Sequence, residues 1–245
     1  MKIKFIGTGQ MSTKRRCTSF VVNDSMLFDI GFGTIEGLKQ NGLDTKDIKT
    51  IVISHTHADH SFDIIQFLHR RKMKGEITGE PLVIVGPKGI KEFLNKLNVF
   101  GFGDISIYSV ANETPGKFNF EVIELGDNQT YKGKDFTVKA FKVLHGSAEC
   151  NGYFLKSGKT NLGYSGDSSL CDGLTNNIKN ANTWIIESND VNPMPNIHLG
   201  LGEVLELAKQ HNETNFYVVH RKDYETPNNI KNVFFPFDNE VINVD

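Results

Sequence analysis

The chain has 245 residues, a formal net charge of −2, 38% hydrophobic residues and 23% charged ones. Those values suit a globular protein with a core of ordinary size, exclude a disordered or collagen-like chain, and leave no overall positive field to gather nucleic acid. Three scattered cysteines, Cys17, Cys150 and Cys171, exclude a disulfide framework. No apolar run approaches the ~20 residues that cross a bilayer, and the N-terminus begins as a strand, not as a signal peptide. A cytoplasmic, membrane-free protein is the expectation.

The opening KIKFIGTG is a short strand closing on glycine, followed by TSFVVN and SMLFDIG, two strand-like runs bounded by turn residues. FGTIEGLKQNG has helical spacing, with Ile35 and Leu38 on one face and Gly42 as the stop. KTIVIS (49–54) is a continuous apolar run and predicts a buried strand. At its end stand His55, His57, Asp59 and His60, in SHTHADHSFD. The spacing of Ile64, Ile65 and Leu68 then predicts a helix capped by Ser61, with the basic run HRRKMK (69–74) on its solvated side. PLVIVG predicts a strand and KGIKEFLNKLN a helix, whereas 98–119 reads as an irregular segment around one strand-like core, either flexible or partner-facing.

The second half repeats this grammar. DFTVKAFKVLH (135–145) alternates and ends on His145; NGYFLKSGKTNLGYSGDSS predicts a hairpin whose second strand leads to Asp167. NTWIIESND is a buried strand, GEVLELAKQHN a helix, and NFYVVHRKD a strand ending at His220. The apolar tail NVFFPFDNEVINVD is expected to pack back on the core. Strands in runs with helices between them predict an α/β sandwich of two sheets flanked by helices.

His55, His145, Asp167 and His220 each follow a strand-like run closely, so neighbouring strands would deliver them to one rim with His57, Asp59 and His60. Five histidines and two aspartates, without cysteine, are too many donors for one tetrahedral ion. They suit two divalent ions sharing a carboxylate, and the chemistry is then metal-assisted hydrolysis. Asp29 and Glu187 are candidates to hold ligating imidazoles from behind. Gly7 and Gly9 are explained by a tight turn, and His69 and His211 by the surface.

These motifs in this order, HTHADH at 55–60, then His145, YSGDS around Asp167 and VVH ending at His220, resemble the metallo-β-lactamase fold superfamily over nearly the whole chain. The resemblance implies a four-layer αββα sandwich in which residues 1–245 form one domain. It implies that His55, His57 and His145 hold one metal, that Asp59, His60 and His220 hold the other, and that Asp167 bridges them. Zinc is the expected ion and manganese the alternative. A cysteine at the Asp167 position would mark a lactam-hydrolysing branch and a glutamate at the His57 position a diiron branch; neither is present. With Asp167 and ESND…HLG, the chain is most similar to the ribonuclease Z-like phosphodiesterases. His198 matches that branch's extra histidine near the leaving group, although HLG departs from the usual His-Ser-Thr. Asp59 and His198 are the candidate catalytic residues.

True tRNA 3′-processing enzymes of that branch carry a long arm between the counterparts of His145 and Asp167. Here the two are only 22 positions apart. The missing arm and acidic pI point to a small phosphodiester, as in the armless phage anti-Pycsar phosphodiesterases, which open cyclic CMP and cyclic UMP in immune evasion. Stable nucleic-acid binding is not expected; a homodimer is. The competing readings are a ribonuclease Z-like RNA endonuclease, a lactone or thioester hydrolase, and a non-enzymatic protein that sequesters a nucleotide or metal.

Overall fold

The computed structural model describes residues 1–74, 81–102, 108–109, 118–227 and 230–244. The first sheet takes β1 (Lys2–Gly7), β2 (Ser19–Val22), β3 (Met26–Phe28), β4 (Thr50–Val52), β5 (Leu82–Pro87), β6 (Tyr108–Ser109) and β7 (Phe118–Leu125). The second takes β8 (Thr130–Lys132), β9 (Phe136–Lys142), β10 (Asn151–Ser157), β11 (Thr160–Tyr164), β12 (Thr183–Glu187), β13 (Asn215–Val219) and β14 (Val233–Phe234). The last strand, β15 (Val241–Asn243), returns to the first sheet, whose order is β15-β1-β2-β3-β4-β5-β7-β6. The second sheet runs β14-β13-β12-β11-β10-β9-β8.

Successive strand residues point to opposite faces, and that alternation separates the layers. Ile51 and Ile84 face a core shared with α1 (Thr34–Gln40), α3 (Asp63–Met73) and α4 (Ile90–Phe102), through Leu38, Phe67 and Leu94. Their neighbours Val52, Val83 and Val85 face the other way, onto Leu155, Leu162 and Ile185 of the second sheet. Trp184 and Ile186 lie beyond that sheet, against Leu174 of α5 (Asp172–Thr175) and Val204 and Leu207 of α6 (Leu201–Gln210). Three apolar cores between four layers make the expected αββα sandwich. Each fully buried aliphatic side chain stabilises it by about 1.5–3 kcal/mol. Among the described residues, no helix is long and apolar enough to cross a membrane.

Two local expectations need correction. Ser61 does not cap the helix over 63–73: it ends the short helix α2 (Ala58–Ser61), and its hydroxyl donates back to the carbonyls of Thr56 and His57. The basic run is not wholly solvated, because Arg71 is buried and donates to the carbonyls of Ile48 (2.7 Å) and Thr45. The tail packs back as expected, as the edge strands β14 and β15. Of the segment read as irregular, 103–107 and 110–117 lie outside the described residues; the rest includes the end of α4, β6 and the start of β7.

One close approach holds the histidine loop in place. Ile30 N–H donates to His60 O (2.8 Å) and Asp63 N–H to Ile30 O (3.0 Å). A Cβ added at Gly31 would stand 1.7 Å from the carbonyl oxygen of Asp59, where backbone leaves it no room. Gly31→Ala is therefore expected to cost about 1–3 kcal/mol of stability, as overpacking does. The loss should be read as a lower unfolding midpoint together with weaker metal retention. A midpoint within about 1 °C of the parent would contradict the close approach.

Candidate metal centre and active site

Five strands end at one rim. β4 leads to His55, β9 to His145, β11 to Asp167 and β13 to His220, while β12 ends on Glu187 itself. The carboxyl ends of parallel strands are the usual place for a ligand site in an α/β sheet, because the chain must turn there and its side chains converge. Two turns use left-handed backbone at residues other than glycine: Asp29 at φ 53° and His220 at φ 51°. Such conformations cost of order 1–3 kcal/mol and persist where surrounding contacts fix them.

The predicted ligands come together in two groups. Donor atoms of His55, His57 and His145 lie within 4.8 Å of one another, and so do those of Asp59, His60 and His220. Asp167 reaches both groups: Oδ1 is 3.3 Å from His60 Nε2, and Oδ2 is 3.4 Å from His220 Nε2, 3.9 Å from His145 Nε2 and 4.0 Å from His55 Nε2. His55 Nε2, His60 Nε2 and Asp167 Oδ1 are buried without a hydrogen-bond partner. Buried polar atoms are costly to leave unpaired, and imidazoles with carboxylates are the donors divalent ions take. The residues present therefore fit divalent metal ions, as does the 3.1 Å between His57 Nδ1 and His145 Nε2.

The rear nitrogens are held from behind. Asp29 Oδ2 lies 2.8 Å from His60 Nδ1 and accepts hydrogen bonds from the hydroxyls of Ser54 (2.8 Å) and Tyr164. Ser54 Oγ also lies 3.0 Å from His55 Nδ1, and His145 Nδ1 is 2.9 Å from Ile197 O. Hydrogen bonds at Nδ1 leave Nε2 with its lone pair toward the centre, which is how a ligating imidazole is oriented. His198 belongs to the same site: Nδ1 is 3.0 Å from Glu187 Oε1, and its ring stacks on His220 at 5.4 Å between centroids. Glu187 is itself fixed by the Ser168 and Asn189 N–H groups, at 2.6 and 3.2 Å.

Charge is distributed unevenly. Burial, reinforced by the other imidazoles, pushes His55 well below the usual histidine range. Burial opposes a charge on His60, but Asp167 and Asp29 outweigh it and hold its pKa well above that range. Burial would likewise raise Asp167, yet His220 and His60 keep it well below the carboxylate range. Asp59 is lowered to about 2, its burial outweighed by His220 and His60. Burial and the nearby Asp167 charge push Glu187 up. The sign for metal uptake follows: the neighbouring carboxylates favour the protonated form of His60, and a divalent ion held there would compete with that proton. Loading at pH 7 should therefore release protons, and affinity should fall with acidification. Calorimetry in buffers of different ionisation enthalpy checks this; a heat independent of buffer would refute it.

A cavity of about 350 Å³ opens over the cluster. Beyond the cluster itself, its walls are Gln10, residues 146–148, Asn189 and Ile197.

The sequence profile described as Anti-Pycsar protein Apyc1 matches residues 1–240. The chain belongs to that family. Among curated proteins, this family member is 31% identical over 153 residues to the ribonuclease Z of Leuconostoc mesenteroides, a match covering 59% of this chain and 45% of that one. The chain spans about half the length of the curated relatives it matches. Among solved structures, the metallo-β-lactamase fold protein YhfI of Bacillus subtilis superposes with a TM-score of 0.79 at 18% identity, over 98% of both chains. The short form of human tRNase Z superposes at 0.76 and 21% identity over 100% of both. The fold of this Apyc1 family member is the metallo-β-lactamase fold.

All seven predicted metal ligands and His198 converge in the structure, and Asp29 and Glu187 stand behind them. Sequence reasoning missed Ser54, Tyr164, Gln10, Asn189 and the Ile197 carbonyl. Tyr164 left a signal, since a tyrosine in a buried strand must find a partner for its hydroxyl. A backbone carbonyl leaves none.

Proposed function

We propose that this protein is a metal-dependent phosphodiesterase acting on small phosphodiesters, with 3′,5′-cyclic nucleotides of the cyclic CMP and cyclic UMP type as the substrate class and phage evasion of immunity as the role. The observation that carries the reading is the pair of three-residue donor groups joined at Asp167 beneath one cavity, with His198 at its edge. Two further features favour a small substrate over RNA. Only the hairpin β10–β11 and its short connections separate His145 from Asp167, and among the described residues the cavity lining holds no lysine or arginine. A polyanionic ligand would need such cations.

In this reading His55, His57 and His145 hold one ion, Asp59, His60 and His220 the other, and Asp167 faces both. What such ions supply, zinc being our assignment and manganese the alternative, is water activated near neutral pH and compensation of charge on phosphate oxygens. The chain's own residues do the rest. Asp29 and Ser54 fix the imidazoles, and Asp167 and Asp59 set the negative charge of the centre. Glu187 engages His198 at Nδ1, which leaves Nε2 as the nitrogen that can protonate the leaving oxygen. We take residues 1–245 as one cytoplasmic catalytic unit that acts as a homodimer.

The test is metal analysis of the purified protein, followed by incubation with bis-p-nitrophenyl phosphate, a panel of cyclic nucleotides and short RNAs, with products resolved by chromatography. Two bound ions without phosphodiester cleavage would sink the reading. Cleavage of RNA with no cyclic nucleotide opened would favour the ribonuclease reading, to which the similarity to ribonuclease Z lends weight.

A further inference from the structure

The cavity has one wall that the chemistry above leaves unused. Gln10 lies in the connection from β1 to β2, far in sequence from every residue of the cluster, yet it lines the same cavity as Asp59, His198 and His220. The connection is firmly braced. Asp238 accepts from the N–H groups of Thr8 and Arg16, both at 2.9 Å. Arg15 donates to the carbonyls of Arg221 (2.6 Å) and Lys222 (3.0 Å), the two residues after His220. Thr18 Oγ1 donates to Gly9 O at 3.0 Å, and Thr13 Oγ1 to Gln10 O at 2.9 Å.

The Gln10 amide is oriented as well as placed. Its Oε1 accepts the Ser12 N–H at 3.0 Å, and its Nε2 donates to Ser12 Oγ at 2.6 Å. A glutamine amide has two N–H donors and two acceptor lone pairs, so these bonds leave one of each. The remaining donor and acceptor are uncharged, cost little rotamer entropy to use, and belong to a cavity lining that, apart from the histidines of the cluster, holds no cationic or aromatic side chain to grip a ligand among the described residues.

We propose that Gln10 is a specificity-determining residue: its pre-oriented amide hydrogen-bonds a polar group of the nucleoside, either a base edge or a ribose hydroxyl, while the phosphodiester lies over the metal centre. This rests on the phosphodiesterase reading and deepens it. Gln10 touches the part of the substrate that does not react, so it acts on binding and leaves the chemical step alone.

The readout is the ratio of kcat/KM for a cyclic nucleotide to kcat/KM for bis-p-nitrophenyl phosphate, which has no nucleoside. Gln10→Ala in the metal-loaded protein should lower that ratio about tenfold, mainly through KM, as loss of one hydrogen bond to bound substrate does. Gln10→Leu, which keeps the volume, should do the same and replaces Gln10→Ala if the latter melts early. A merely structural role would lower both activities together and leave the ratio unchanged, and an unchanged ratio overturns the proposal. Comparing 2′-deoxy analogues and the four bases tells ribose contact from base contact, either of which supports it. A parent protein that cleaves bis-p-nitrophenyl phosphate but no cyclic nucleotide overturns the role of Gln10 and leaves the phosphodiesterase reading standing. A metal-loaded parent that cleaves neither removes both.

Discussion

Asp167→Asn is expected to take the metal content from the two ions per chain proposed above to below one and to lower kcat/KM by roughly 10⁴-fold or more. Its carboxylate faces both donor groups, with its oxygens 3.3 to 4.0 Å from the Nε2 atoms of His60, His220, His145 and His55. The substitution keeps shape and removes charge. That separation matters because the residue is buried, and a smaller side chain would open a cavity as well. Its carbonyl, which accepts from Cys150 Sγ at 3.2 Å, is untouched, so the fold should survive. The amide brings two N–H groups where imidazole lone pairs now converge, so both ions lose affinity together. Metal analysis, circular dichroism and steady-state kinetics on one preparation read all three consequences. A folded variant with two ions and parental turnover would remove Asp167 from its shared position.

His198→Ala should behave in the opposite way toward metal and in a graded way toward substrate. The proposed ligands keep their own supports, since Asp29, Ser54 and the Ile197 carbonyl hold the imidazoles, so both ions should stay bound. What is lost is a proton for the departing oxygen. General acid catalysis is worth roughly 10² to 10⁴-fold, and that loss is expected with nucleotide leaving groups, which depart as strongly basic alkoxides. p-Nitrophenolate leaves without help, so its ester should slow far less. The contrast between the two esters is the diagnostic measurement. Equal rates for the metal-loaded variant and the parent on both substrates would end the donor role. Beyond the proposed proton transfer, the ring stacks on His220 and rests against Glu187. His198→Gln, which can keep the bond to Glu187, separates packing from proton transfer: it should restore stability and leave the slow turnover with cyclic nucleotides.

Much of this site was legible in the sequence because its residues obey one rule. They stand where apolar strands stop, and strand ends are among the better-marked features of a sheet protein. KTIVIS gave His55 a position, VVH gave His220 one, and the hairpin before GDSS gave one to Asp167. Short edge strands were not legible: β14 has two residues and β15 three, too few for a period to show. Ser61 misled for a different reason. A serine before an apolar helical run normally caps that run, but here the preceding residues coil into a turn of their own and the hydroxyl bonds backward. Arg71 lies in a basic run yet finds carbonyl partners inside the fold, which no composition rule anticipates. Gln10 carries no pattern at all, since a single polar residue in a turn becomes part of a site only when the chain brings distant segments beside it.

The pairing of β1 with β15 has a consequence for biosynthesis. Lys2 lies opposite Asn243 and Lys4 opposite Val241, and the Met1 amine donates to the carbonyl of Val244, 243 positions along the chain. A ribosome makes β15 more than two hundred codons after β1, so one edge of β1 waits open until that strand emerges. Contacts of such separation are slow to form, because the intervening chain must be organised before its ends can meet. Asp238, which braces the connection carrying Gln10, emerges just ahead of β15. The wall of the cavity and the edge of the first sheet thus close together, once the segment from Asp238 through β15 has been made.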